Sequence, residues 1–569
     1  MPSINILPLN LRNKIAAGEV VERPASVVKE LMENSIDARS SRIEIDILKA
    51  GKRLIKVSDN GTGMDREDAL LAFERYATSK IKDEDDLFNI RTMGFRGEAI
   101  ASIASVSKVR MTTSLQNEVG TCIEIIGGDV KEVRDCPSIG TTIEIKDLFF
   151  NTPARRKFLK SDSTENYHII DAVTREAIAH YQIGFVLRMD GEDAMNLPTA
   201  SSHRERLVQI FGKDFVGGLL EAEAEDGQMS VKAFLGKATN LRNNRNNQFL
   251  FINNRPVKDQ SVTYAVYKAY EELIPKDKHP VFFLFMGINP SKVDFNVHPT
   301  KKEVRFEDKS RVFNFVYQAA KEALSSQHSA VRSNIEIEKI RSWEDKKTAG
   351  FENISTSQLP SFSASQDVIS ERLDSFYISD IPFLYLGDTL VAITENEGIM
   401  IIDYHAAHER INYERLLKRI DTISYKLLFP QQVKPQVNEY RVLLENIQLL
   451  NELGIEFEDF GHGTIIVRSL PEFLRDADLN ALMSDMAAAL INPAKLENED
   501  LEPLDSVKKM LAAKLACHSS IRGKEIPDGI RIAQLLKDLD NADNPNTCPH
   551  GRPTRIFISM DELRKMFKK

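Results

Sequence analysis

Apolar and polar residues change their period along the chain, and the changes outline its parts. Ile43-Glu44-Ile45-Asp46-Ile47 and Thr142-Ile143-Glu144-Ile145 alternate with the two-residue period of half-buried strands. Between Ala25 and Ala38, after Pro24, the period is that of an amphipathic helix. With Glu30 as zero, Asn34 falls at about +40° and Asp37 at about −20°, while Val28, Leu31, Met32 and Ile36 lie opposite. An acid-and-amide face over an apolar one is common on surface helices, so its meaning depends on its neighbours. Leu54-Ile55-Lys56-Val57 reads as a further strand, as do Phe249 to Ile252 and Val281 to Met286, with a helix over Asp259 to Leu273. Gly398 to Ile402 reads as a strand that leads into a helix beginning near His405.

From about Ser325 to Asp374 the periodicity disappears into Ser, Thr, Gln, Lys and Glu, with Pro360 and Ser361-Phe362-Ser363. This is linker texture, although the single tryptophan, Trp343, lies within it. The organisation expected is a domain over 1–200, a second over 201–325, a linker over 326–373 and a third domain over 374–569. A single larger first domain is the alternative to a break near residue 200. The fold class is α/β and α+β, multidomain.

A chain of 569 residues and 64.3 kDa accommodates several cores. Its formal charge of −9 excludes a polybasic nucleic-acid binder but leaves room for a local basic groove. No apolar run approaches the ~18 residues of a membrane helix, and MPSINILPLN has neither the basic nor the apolar part of a secretory signal. Four cysteines in this length make no disulfide framework, which fits a reducing cytoplasm as the expected location.

Candidate chemistry follows the first helix. Asp59-Asn60-Gly61-Thr62-Gly63 lies after a strand, where Asn-Gly alone is a hairpin signal. Thr78-Ser79-Lys80 and Gly94-Phe95-Arg96-Gly97-Glu98 come next, the latter opening a helix. Closely spaced glycines before a helix let backbone N–H groups reach phosphate. Neither the P-loop nor the dinucleotide-binding glycine pattern is present. Basic residues cluster twice, as Arg155, Arg156, Lys157 and Lys160 and as Arg242, Arg245, Arg255 and Lys258. Charge runs are commonly solvated faces, but the asparagines among the second set suit phosphate and sugar contacts, hence salt-sensitive, sequence-independent binding of double-stranded DNA. Near the far end, Asp403, His405 and Glu409 precede Cys517-His518 and Cys548-Pro549-His550. Singly these are surface pairs and buried cysteines. Together they are a mixed oxygen, nitrogen and sulfur set suited to zinc or manganese.

The order Glu30, Asn34, Asp37, then Asp59-x-Gly61-x-Gly63, then Gly94-x-x-Gly97 resembles the ATPase fold shared by type II topoisomerases, a stress chaperone, histidine kinases and MutL. Ile15 to Pro24, Gly94 to Ala99 and Asn151 to Leu159 narrow the resemblance to the MutL mismatch-repair family. It implies ATP and Mg2+ as cofactors, with Glu30 as the base that orients water and Asn34 as the magnesium ligand. Asp59 would meet the adenine amino group, supported by Thr142, and residues 78–99 would form a nucleotide-ordered lid. Lys301 would reach the terminal phosphate from the second domain. In the third domain, Asp403-Tyr404-His405-Ala406-x-x-Glu409, with Ala516-Cys517 and Cys548-Pro549-His550-Gly551-Arg552-Pro553, resembles the nicking-endonuclease motifs of the family. Asp403, His405, Glu409, Cys517, Cys548 and His550 would then hold Zn2+ or Mn2+, with Asp403 and Glu409 catalytic. Tyr404 stands where the family has glutamine. Glu414 falls on the far side of its helix and reads as a structural ion pair. The resemblance also implies a homodimer and a MutS-type mismatch-recognition partner. Sliding-clamp docking is weakened, because Tyr425 replaces the glutamine before Leu427-Leu428-Phe429-Pro430. A nucleotide-switched matchmaker that recruits other nucleases is the alternative to a cutting enzyme.

Overall fold

The structure, a computed structural model, describes residues 21–81, 92–325, 383–491, 503–519 and 528–566, apart from 95–96, 117, 238–239, 243, 272, 275–277, 296–303, 396, 419–423, 462 and 476. The linker expected over 326–373, with Trp343, lies outside the described residues.

Pro24, which has no amide hydrogen to lose, opens helix α1 (Pro24–Asp37) at its first turn. Val27, Val28, Leu31 and Met32 are buried, so the apolar stripe faces inward. Strands β1 (Arg42–Leu48) and β2 (Leu54–Asp59) pair antiparallel, and Ile43, Ile45 and Ile47 are the buried positions of β1. The chain continues through α2 (Arg66–Leu71), α3 (Ala99–Ser105), β3 (Lys108–Ser114), β4 (Gly120–Ile126), β5 (Asp129–Cys136) and β6 (Gly140–Lys146). Then come α4 (Pro153–Phe158), α5 (Asp162–Ala179), β7 (Gly184–Met189) and β8 (Glu192–Leu197). The strands form one eight-stranded sheet in the order β5-β4-β3-β6-β2-β1-β7-β8. Helices α1 and α5 pack together and share its core, through Val28 and Met32 on one and Ile169, Ile170 and Val173 on the other.

Helices α6 (His203–Phe211) and α7 (Lys213–Gly217) lead to a second sheet, β12-β11-β13-β10-β9. Its strands are β9 (Leu219–Glu225), β10 (Met229–Gly236), β11 (Gln248–Ile252), β12 (Arg255–Val257) and β13 (Phe282–Ile288), with α8 (Gln260–Ala269) between the last two. Leu250, Ile252, Leu284 and Met286 face α8 and a helix over 309–325, α9, which follows the short antiparallel pair β14 (Val293–Asp294) and β15 (Arg305–Phe306). Phe249, Phe251, Phe283 and Phe285 face Ile178 and Ala179 of α5 and Leu207 of α6. Burial of both faces explains why these strands read as continuous apolar runs. The phenylalanines stack in pairs, Phe249 on Phe283 at 5.0 Å and Phe251 on Phe285 at 4.9 Å, so the aromatic face is also the joint with the first sheet.

Two compact units divide the chain. Met1–Leu324 cluster with Leu427–Ser469 and Asp478–Glu497, and Ser325–Lys426 cluster with Leu470–Ala477 and Asn498–Lys569. The span 374–569 therefore contributes to both. In the first unit, Val437 packs against the α1–α5 core. The second unit holds a sheet in the order β16 (Phe383–Gly387), β17 (Leu390–Glu395), β18 (Gly398–Asp403) and, as its last strand, Arg555–Ser559. One face of it is covered by the helix Tyr404–Lys418, here α10, and by Ile532, Leu535 and Leu539 of the helix Gly529–Asp540.

Candidate nucleotide pocket and metal centre

Helix α1 carries Glu30, Asn34 and Asp37 on its polar face, as its period predicts. The Lys80 ammonium reaches two of them, 2.8 Å from Asn34 Oδ1 and 2.6 Å from Asp37 Oδ2. Asp37 also accepts from two backbone groups, Met93 N–H at 2.8 Å and Gly94 N–H at 3.1 Å. The helix and the segment around residue 94 are thus tied by one carboxylate. Thr78 Oγ1 accepts from Lys80 N–H, Ser79 is exposed and Glu98 precedes α3.

Asp59 ends β2 beside α1. Its Oδ2 accepts from Ser35 Oγ at 2.8 Å and its Oδ1 from Gly61 N–H at 2.9 Å. Burial raises the Asp59 pKa despite these bonds. A side chain at Gly63, where φ is +70°, would place Cβ 1.9 Å from the Ser114 carbonyl oxygen, and at Gly97, where φ is +61°, 2.4 Å from that of Ala77. Only glycine lets the chain pass there. Thr142 sits opposite Ser58 in the β2–β6 register and donates to its Oγ at 3.1 Å, which keeps it one residue from Asp59. Phe95, Arg96 and Lys301 lie outside the described residues. Sequence reasoning missed Ser35, which orients Asp59; a serine on a helix wheel gives no sign of a partner 24 residues away.

The basic residues divide. Arg156 and Lys157 are exposed on α4 and Arg155 is half-buried. Arg242 lies over Phe215 at 5.6 Å and Arg245 over Tyr267 at 5.9 Å, and Lys258 is exposed. Arg255 departs from the expectation that it faces DNA. It is 6% exposed, lies 4.8 Å over Phe295 and donates to the Thr92 carbonyl, so in this conformation it is not presented to a phosphate backbone.

In the second unit, β18 delivers Asp403 to the start of α10. Its Oδ1 accepts from His405 and Ala406 N–H, both at 3.1 Å, and caps the helix. Fully buried Glu409 lies one turn further, with Oε1 3.4 Å from His405 Nε2 and Oε2 3.5 Å from His550 Nδ1. A tight turn, with Cys548 N–H on the Arg552 carbonyl at 2.8 Å, brings the 548–552 segment back onto Glu409. Donor atoms of Glu409, Cys548 and His550 lie within 4.8 Å of one another. Burial opposes ionisation of Glu409, yet its bonds to His405 and His550 and their charges hold it well below the usual carboxylate range. Cys517, on the helix Pro503–Ser519, is exposed as a residue and is not among those three donors; its thiol is pushed up to about 11, first by desolvation and then by the Glu409 charge. Arg552 Nη2 approaches Glu409 Oε2 at 3.2 Å. A thiol, an imidazole and a buried carboxylate fit zinc by donor chemistry, and the His405 imidazole lies 3.4 Å from the same carboxylate. Asp403 stands at the edge, with one oxygen given to the helix cap.

Glu414 is no part of this centre. It accepts from Asp543 and Asn544 N–H and pairs with Arg410 at 3.6 Å and Lys418 at 3.4 Å, the structural role expected. Tyr404 is buried in the core and donates to the Asp388 carbonyl at 3.1 Å. Leu428 and Phe429 are both exposed. Cys122 is buried and Cys136 half-buried, and neither belongs to a group of three or more metal-ligating side chains among the described residues.

Three family models match the chain. They are described as histidine kinase-, DNA gyrase B- and HSP90-like ATPase over residues 22–152, DNA mismatch repair protein C-terminal domain over 207–325, and MutL C terminal dimerisation domain over 384–526. The DNA mismatch repair protein MutL of Thermodesulfovibrio yellowstonii is 40% identical over 568 residues, covering 100% of both chains. That of Caldanaerobacter subterraneus subsp. tengcongensis is 38% identical over 599 residues, again covering 100% of both. A solved structure of the Aquifex aeolicus MutL ATPase domain complexed with ADP is 28% identical, covers 52% of this chain and 98% of that one, and has a TM-score of 0.38.

Proposed function

Because the chain belongs to the MutL family of DNA mismatch repair proteins, we propose that it is an ATP-hydrolysing homodimer that also nicks DNA at the Glu409 centre. In the first unit, Glu30 orients the attacking water and accepts its proton, while Asp59, aligned by Ser35, accepts from the adenine amino group. Asn34 holds Mg2+, which neutralises phosphate charge when nucleotide is bound. Lys80 moves from Asn34 and Asp37 toward the phosphates as ATP arrives, and Lys301 adds a second cation. Phosphoryl transfer asks mainly for such positioning and charge neutralisation.

In the second unit, Glu409, His405, Cys517, Cys548 and His550 hold Zn2+ or Mn2+, which supplies charge for phosphodiester cleavage. Asp403 has one oxygen left to take a proton or a further ion. The observation that carries the cutting half is the meeting of Glu409, Cys548 and His550 donor atoms within 4.8 Å.

Pairing of two copies is supported by the sheet of the second unit. Register places Leu384, Ala392, Ile401 and Ile556 side by side on the face opposite its helices. Leu384 is 65% exposed and Ile556 54%. An apolar row of this kind marks an interface. Exposed Arg156, Lys157, Arg245 and Lys258 offer phosphate contacts, and exposed Leu428 and Phe429 keep the apolar anchors of a clamp-docking strand. A MutS-type protein would pass the mismatch signal to the ATP-closed dimer.

The test is nicking of supercoiled plasmid with manganese. Asp403→Asn keeps an oxygen to cap α10 but removes the charge, so it should fold and fail to nick. Nicking that survives it would remove Asp403 from the chemistry. A wild-type chain that turns over ATP but never nicks would instead establish the matchmaker reading, which the diversion of Asp403 to a helix cap favours.

A further inference from the structure

Arg255 is carried far from the ATPase helix in sequence and ends beside it in space. The β11–β12 hairpin turns on Asn253 and Asn254, both at positive φ (49° and 63°), a turn suited to asparagine. The guanidinium that follows lies 4.8 Å over the Phe295 ring, within the electrostatic influence of Glu33, Asp37 and Glu30 of α1 and Glu176 of α5. Its Nη2 donates to the Thr92 carbonyl. The same Thr92–Met93 peptide presents its N–H to Asp37 Oδ1 at 2.8 Å. A single peptide of the lid is therefore held from both ends, by the second sheet through Arg255 and by the ATPase helix through Asp37. Asp37 in turn holds Lys80, which also reaches Asn34. Arg255 Nη1 is buried with no hydrogen-bond partner among the described residues.

We propose that Arg255 is a positioning residue for ATP hydrolysis: it fastens the lid peptide 92–93 against α1, so that the second sheet sets the geometry of the Asn34–Asp37–Lys80 group. A guanidinium suits this place because it stays charged among acids and donates in fixed directions. Bonds in series through a peptide also polarise one another in a dry interior. Movement of the second sheet relative to the first would thereby be felt at the nucleotide. The inference rests on the ATP-hydrolysis reading and replaces the expectation that Arg255 contacts DNA.

The experiment uses the full chain as wild type, Arg255→Gln and Arg255→Lys. It measures kcat per nucleotide-binding site, KM for ATP, melting temperature, and affinity for a non-specific DNA duplex across a salt series. Arg255→Gln should lose about 10–100-fold in kcat, the scale of a misplaced catalytic group. Its DNA affinity and salt slope should stay at wild-type values. Arg255→Lys, which keeps the charge and most of the stem, should recover part of kcat and melt near wild type, which separates positioning from collapse. Wild-type kcat in both variants overturns the proposal. So does a loss of DNA affinity with a salt slope shallower by about one, which marks a phosphate contact. If the wild-type chain itself turns over no ATP, the ATP-hydrolysis reading fails and the proposal falls with it.

Discussion

The two carboxylate centres of this protein are built to opposite plans. Around α1, Asp37 accepts from one lysine side chain and two backbone N–H groups of a glycine-bearing segment. Around α10, Glu409 is fully buried and bracketed by two imidazoles, a thiol-bearing turn and a guanidinium. The first set is all oxygen and nitrogen donors that can exchange partners, which suits a hard cation arriving with a phosphate ligand. The second is a softer set, with sulfur and imidazole beside the carboxylate, of the kind that suits a borderline metal. On the function proposed above, one acid-bearing helix serves a switch and the other a fixed centre, although the two patterns look alike on a helix wheel.

Substitutions test that contrast. Glu30→Gln has the largest expected effect: ATP turnover should fall by about 10²–10⁴-fold, as for loss of a general base, with metal content unchanged in elemental analysis. Cys548→Ser should weaken zinc retention by about 10–100-fold in a chelator competition while leaving ATP turnover intact. Equal metal loss from a Glu30 variant would mean that the two centres are not independent. Leu384→Asp with Ile556→Asp should shift sedimentation from dimer toward monomer and leave both centres loaded.

The smallest effect concerns the joint beneath the switch. His203 packs against Phe285 with ring centroids 3.8 Å apart and planes tilted by 41°, and burial lowers its pKa from 6.5 to about 4. The fold therefore prefers the neutral ring. Its contribution is fully present above pH 6.5 and is lost as pH falls from 6.5 toward 4, because the unfolded chain then binds the proton the native chain refuses. The melting temperature of the wild type should drop by a few degrees more than that of His203→Gln between pH 7 and pH 5. Identical slopes would show that His203 is solvated.

Much of this was legible in the sequence, for identifiable reasons. The β1 alternation and the α1 wheel are local periodicities, and Ile43, Ile45 and Ile47 are buried as they predict. The strand-to-helix passage at Asp403 was legible from an apolar run followed by polar helix formers. Glu414 was placed outside the metal set by helix angle alone, and its pairing with Arg410 and Lys418 agrees. What stayed hidden depends on long-range approach. Arg255 reads as one more cation in a basic run, yet a two-asparagine hairpin turns it inward toward residue 92. The uncovered row on the β16–β18 sheet was equally silent, since Leu384 and Ile556 join only through register across four strands. Arg552 was visible only as part of a motif, and its contact with Glu409 needs the tight turn that starts at Cys548.

The contrast between a switching and a fixed centre meets its most direct test in a double dissociation. ATP turnover and manganese-dependent plasmid nicking are measured on the same preparations of wild type, Glu30→Gln and Glu409→Gln. Glu30→Gln should abolish turnover and keep basal nicking, and Glu409→Gln should keep turnover and abolish nicking. Loss of both activities in either variant, or nicking by Glu409→Gln at the wild-type rate, would contradict that contrast.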